Sequence, residues 1–118
     1  MQQIFIELYN YRHAWAKRSE SDRTDFVKKV VEAVKGLKSA GVDVVGYGMN
    51  STQTDHRAPY DFFCVYRVPN VTVQRAFEQQ VAASGWYEYF EQVNVSGDAN
   101  DFEAVLLGNA KMARPAPS

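Results

Sequence analysis

The stretch "QQIFIELYNY", residues 2–11, decides how the rest of this chain can be arranged. It alternates and is rich in β-formers, so it predicts a strand. A strand has a period of two. Ile4, Ile6 and Leu8 therefore share one face, and Phe5, Glu7, Tyr9 and Tyr11 share the other. The first set is aliphatic and is expected to meet helices. The second is aromatic around one carboxylate and is expected on the opposite, open face.

Outward from this strand, "SESDRTDFVKKVVEAVKGLKSAG" (19–41) predicts the clearest helix. Ser19 or Ser21 can cap it, and Glu20, Asp22 and Asp25 suit the positive end of its dipole. Phe26, Val30, Val34 and Leu37, flanked by Val27 and Val31, make one apolar stripe. Gly41 can end it in the left-handed conformation. "VDVVGYGMN" (42–50) predicts a second strand, "STQTDHRAP" a polar loop and "YDFFCVYRV" (60–68) a third strand. Asn70 caps a second helix, "VTVQRAFEQQVAAS", which Gly85 closes. "WYEYFEQVNV" (86–95) predicts a fourth strand, "SGDAN" a turn and "DFEAVLLGNAKM" a short third helix through Phe102, Val105 and Leu106. Residues 1–112 read as one domain and 113–118 as a disordered tail.

The order β-α-β-β-α-β is that of the split β-α-β, ferredoxin-like arrangement. Two helices cover one face of a four-stranded antiparallel sheet and leave the other bare. Sorting the strands for the face that meets helices puts Val42, Val44, Phe62, Cys64, Tyr66, Val93 and Val95 with the aliphatic set. The open face then carries Phe5, Tyr9, Tyr11, Tyr47, Phe63 and Phe90, with Arg67, Gln92 and Asn94. Such a patch is near the largest a monomer tolerates. A second copy packed by two-fold symmetry is its economical cover.

Composition narrows the function. Thirteen basic residues against fourteen acidic ones leave a formal charge of -1 and no basic run, which argues against a nucleic-acid partner. No apolar segment approaches the roughly 18 residues of a membrane span. "MQQIFIELYN" lacks a basic leader and a cleavage site. Cys64 is the single cysteine and reads as a small buried hydrophobe in a reduced, cytoplasmic setting. With two histidines in separate loops and one thiol, neither a metal nor haem is expected.

The layout, with "AWAKRSESDRTDFVKKV" before and into the first helix and "GWYEYFEQVNV" at the last strand, resembles the dimeric α+β barrel superfamily. That superfamily includes cofactor-free antibiotic-biosynthesis monooxygenases, muconolactone isomerase-like proteins and chlorite dismutase relatives. Within it the chain is most similar to the darcynin-type small bacterial proteins, which have no assigned activity. The resemblance implies a homodimer; its haem-binding relatives use a proximal His on a longer domain, and with His13 and His56 in loops no cofactor is expected here. The monooxygenases rely on Asn, Trp and Arg beside an aromatic substrate. Asn94, Trp86 and Arg67 are of those types here, without a residue-by-residue correspondence.

Glu7 is the most informative polar residue. A carboxylate in an apolar strand must be paired, hydrogen-bonded or wet. Arg67 is assigned to the same face of a neighbouring strand, so the two can form either a structural ion pair or the polar floor of a cleft. His56 sits beside Arg57 in the 50–59 loop, as an ordinary polar residue or as a base or anion contact. Glu7, Tyr9, Tyr47, His56, Arg67 and Asn94 are thus expected to line one cleft on the open sheet face. Three readings follow: a dimeric binder of a small aromatic or polyketide-like molecule, a cofactor-free monooxygenase or isomerase, or a structural dimer without a cavity.

Overall fold

The structure is a computed structural model that describes residues 1–112; the expected disordered tail, 113–118, lies outside the described residues. In chain order it contains β1 (Gln3–Tyr11), α1 (His13–Ala16), α2 (Glu20–Gly36), a 3-10 turn (Leu37–Ala40), β2 (Asp43–Met49) and β3 (Phe62–Val68). α3 (Val71–Ala83), α4 (Trp86–Tyr89), β4 (Phe90–Asp98) and α5 (Phe102–Ala110) follow. It is a mixed α+β fold with one antiparallel sheet, ordered β2-β3-β1-β4, and five α-helices among the described residues.

Local chemistry sets the boundaries. Ser19 Oγ accepts from the Asp22 N–H at 3.1 Å, and Asn70 Oδ1 accepts from the Val73 N–H at 2.9 Å. Each satisfies one orphan donor of a first helical turn. Gly41 has φ 83°, and a Cβ there would lie 2.9 Å from Pro69 Cγ, so only glycine fits. Trp86–Tyr89, expected as strand, forms one helical turn instead. Gly85 at φ 84° starts it, and helical spacing turns Trp86 and Tyr89 inward. Trp86 stacks on Phe90 at 4.0 Å, and Trp15 of α1 packs on Phe90 at 4.8 Å.

The faces of β1 and β4 are the reverse of those expected, whereas Phe62, Cys64 and Tyr66 of β3 lie beneath the helices as expected. Phe5 pairs with Tyr66, Glu7 with Cys64 and Tyr9 with Phe62, and all of these lie under the helices. On the other side β1 pairs Glu7 with Asn94 and Tyr9 with Gln92. Phe77 of α3 meets Phe5 edge-on at 5.8 Å and Tyr66 at 5.0 Å. Ile4, Ile6 and Leu8 are only half-buried, and Val93 and Val95, expected beneath the helices, are 40% and 57% exposed. The reason is a gap. α2 contributes no fully buried residue, and Leu37 of the following turn joins the core in its place. Rings from β1 and β3 fill most of the space between helices and sheet, with Val42 and Val68 buried beside them.

This packing makes Phe77 the keystone of the aromatic layer. Phe77→Ala is expected to cost about 3–5 kcal/mol, the usual loss for a buried ring, as read from the midpoint of urea unfolding.

Candidate functional site

The gap between helices and sheet is a cavity of about 260 Å³. Its floor is the covered face of the sheet, with Glu7, Tyr9, Tyr47, Tyr66 and Gln92. Its roof is α2 and α3, with Phe26, Val30, Val34 and Phe77, and Trp86 closes one end.

Glu7 organises the floor. The residue is 3% exposed. Tyr9 donates its hydroxyl to Oε1 at 2.5 Å, and Gln92 donates Nε2–H to Oε2 at 2.7 Å. The Tyr66 hydroxyl acts on the same carboxyl and is itself hydrogen-bonded to Tyr47. Gln92 also donates to Asn94 Oδ1 at 2.8 Å. Burial lifts the Glu7 pKa above its ordinary 4.5. The hydrogen bonds from Tyr9, Gln92 and Tyr66 pull the other way, and Glu78 on α3 adds a smaller upward push. Among the described residues no cation pairs with Glu7. Burial likewise raises the pKa values of Tyr9, Tyr66 and Tyr47, and pushes the Cys64 thiol up to about 12. These phenols remain protonated donors at neutral pH. Trp86 Nε1 and Gln92 Oε1, from two lining side chains, have no partner among the described residues. A buried donor and a buried acceptor in that state each cost free energy until something satisfies them.

Of the residues expected in one cleft, Glu7, Tyr9 and Tyr47 come together here, under the helices rather than on the open face. Asn94 sits beside them through Gln92 but is exposed where the helices no longer cover β4. Arg67 does not join them. It shares the open face with Ile4 and makes an exposed ion pair with Asp43 at 3.8 Å, so the expected Glu7–Arg67 pair does not form. His56 is exposed in the 50–61 loop at φ 53° and does not line the cavity. Its neighbour Arg57 is used to close that loop, donating to the carbonyls of Ser51 and Tyr60 at 3.0 Å. Tyr66 is the residue that sequence reasoning missed. Period two linked it to Cys64 and Phe62, but only the β1–β3 register carries that set to the side of Glu7.

His13 and His56 lie apart, and no three His, Cys, Asp or Glu side chains cluster as a metal site among the described residues. No helix among them is long and apolar enough to cross a membrane. A family model described as a family of unknown function (DUF6616) matches residues 2–112. No curated protein and no solved structure matches.

The raised pKa of Glu7 has a definite sign. Protonation is favoured in the folded state, so its contribution to stability is complete below pH 4.5 and is lost as pH rises through the folded value. Glu7→Gln is expected to remove this dependence. The slope of unfolding free energy against pH, up to about 1.4 kcal/mol per unit above pH 4.5, should flatten in denaturant titrations of the variant.

Proposed function

We propose that this chain, which belongs to the DUF6616 family, is a homodimeric binder of a small, uncharged, ring-bearing molecule. The observation that carries the reading is the Glu7 carboxyl, buried in a cavity among three phenols and ion-paired to no cation among the described residues. The Glu7 carboxyl and the tyrosine hydroxyls offer hydrogen bonds to a hydroxyl or carbonyl, while Phe26, Phe77 and Trp86 offer ring faces. The volume lies just below the roughly 300–1,000 Å³ of common ligand sites, which suits one or two rings. A phenol or a polyketide-like fragment meets both requirements.

The element order and the strand order β2-β3-β1-β4 support a ferredoxin-like arrangement, and with it the likeness to dimeric α+β barrels and darcynin-type proteins. The dimer contact is the open face, now aliphatic: Ile4, Ile6, Leu8, Val65, Val93 and Val95. A four-stranded sheet of this length presents roughly 500 Å² per face, near the largest apolar patch a monomer carries.

A second reading, a cofactor-free isomerase or monooxygenase, is favoured by the chain Tyr47–Tyr66–Glu7–Tyr9. It sets a carboxyl of raised pKa beside bound ligand, where Glu7 can give or take a proton. A turnover rate that depends on pH in wild type and is abolished by Glu7→Gln would distinguish this enzyme from a binder.

Titration with 2-naphthol, a two-ring phenol, should saturate and quench tryptophan fluorescence. Tyr66→Phe should weaken it about tenfold, the value of one hydrogen bond. Absence of saturable binding, or binding unchanged when Ala33→Trp fills the cavity, would overturn the reading. Sedimentation at micromolar concentration should give a dimer, and Val95→Asp a folded monomer. A monomeric wild type would refute the dimer.

A further inference from the structure

The C-terminal helix α5 has no place in its own subunit. All nine of its residues are exposed, with Phe102 at 73%, Leu106 at 63% and Leu107 at 62%. It is apolar on every side, the signature of a buried helix. At nine residues it is also below the roughly 12–15 at which an isolated helix holds in water. Yet it is built to form: Asp101 Oδ1 accepts from the Ala104 N–H at 2.8 Å, and the preceding Ala99 N–H is pinned to the Gln2 carbonyl at 2.9 Å. The result is a projecting arm. The radius of gyration is 16.8 Å, against about 13.5 Å for a compact chain of this length.

The same chain carries a groove of matching size. It runs between α2 and β2, holds about 1120 Å³, and gathers five exposed large hydrophobics: Tyr11, Val27, Val31, Tyr47 and Met49. That exceeds the roughly 1,000 Å³ upper range of small-molecule sites. A nine-residue helix, roughly 13.5 Å long and 10 Å across, displaces about 1,060 Å³. Lys35 and Lys38 line the groove, while Asp101 and Glu103 stand at the acidic start of α5.

We propose that α5 is an exchanged arm, each protomer's α5 docking helix-in-groove between α2 and β2 of a second copy. This rests on the dimer reading above. The arm does not lie in its own groove, whose lining includes no α5 residue. It leaves from the β4 edge, while β2 is the opposite edge of the sheet. Asn100 and Asp101, after the pinned Ala99, span at most about 10 Å, short of the roughly 14 Å across three strand spacings. A two-fold axis parallel to the strands, between two stacked sheets, instead sets each β4 edge over the partner's β2 edge. Phe102, Val105 and Leu106 then supply the i, i+3, i+4 anchors of this docking mode. The groove shares Val30, Val34, Tyr47 and Trp86 with the Glu7 cavity, so the second copy walls in the ligand site.

Full-length Val31→Cys and Leu106→Cys variants, mixed and treated with a short bis-maleimide, should yield a linked species of twice the chain mass; native Cys64 is fully buried and does not compete. The double variant should also link between chains. A linked monomer would place the arm on its own subunit and overturn the proposal. Absence of linkage in a protein that still sediments as a dimer would also overturn it while leaving the sheet-face dimer intact. A monomeric wild type would remove both. Independently, Leu106→Asp should raise the fluorescence of 8-anilinonaphthalene-1-sulfonate several-fold as the groove opens, and an unchanged signal would count against docking there.

Discussion

The burial of Glu7 is the constraint on which the rest of this structure depends. The carboxyl of a residue that is 3% exposed, ion-paired to no cation among the described residues, must be met by donors, and its own strand and the neighbouring strands supply them. Tyr9 reaches it from two residues along β1, and Gln92 from β4. Tyr66 reaches it from β3. These phenols can donate only if they remain protonated, and burial ensures that by raising their pKa values. Burial raises the Glu7 pKa while these donated hydrogen bonds oppose the rise, and the register of three strands is tied to this centre.

That centre also explains the division of apolar residues. Phenols long enough to surround the carboxyl hold the helices away from the sheet. The space that results is lined by rings and closed by Phe77 and Trp86. On β1 and β4 the aliphatic side chains lie on the other face, while Val68 of β3 is buried among the rings. The consequence is an apolar exterior on the sheet and a helix, α5, that is apolar all round and free of its own body. Surface of that kind finds an apolar partner in water.

The chemistry open to the cavity follows from its electrostatics. Among the described residues the one cation on its lining, Lys29, is exposed, and a neutral ring with a hydroxyl or carbonyl would find donors, an acceptor and aromatic faces on the floor. Cys64 sits beneath the tyrosines with its thiol raised to about 12, so it packs as an apolar residue and is a poor nucleophile there.

Periodicity, capping and turn chemistry were legible in the sequence because they are local. The helix begun at Ser19, the one begun at Asn70, and the turns at Gly41 and Gly85 each depend on a few adjacent residues. Alternation likewise separated Phe5, Glu7 and Tyr9 from Ile4, Ile6 and Leu8, and it put Glu7, Tyr9 and Tyr47 forward as a group. Which set lies beneath the helices was decided only in three dimensions. Both are apolar enough to be buried, and the outcome turns on the helix–sheet distance and on whether donors from other strands can satisfy one carboxyl. The same holds for Arg67 and His56. Their residue types suggested a site, but Arg67 keeps the open face while Glu7 lies beneath the helices, and the path of the 50–61 loop left His56 in solvent. A strand pattern states what travels together; only packing states what it faces.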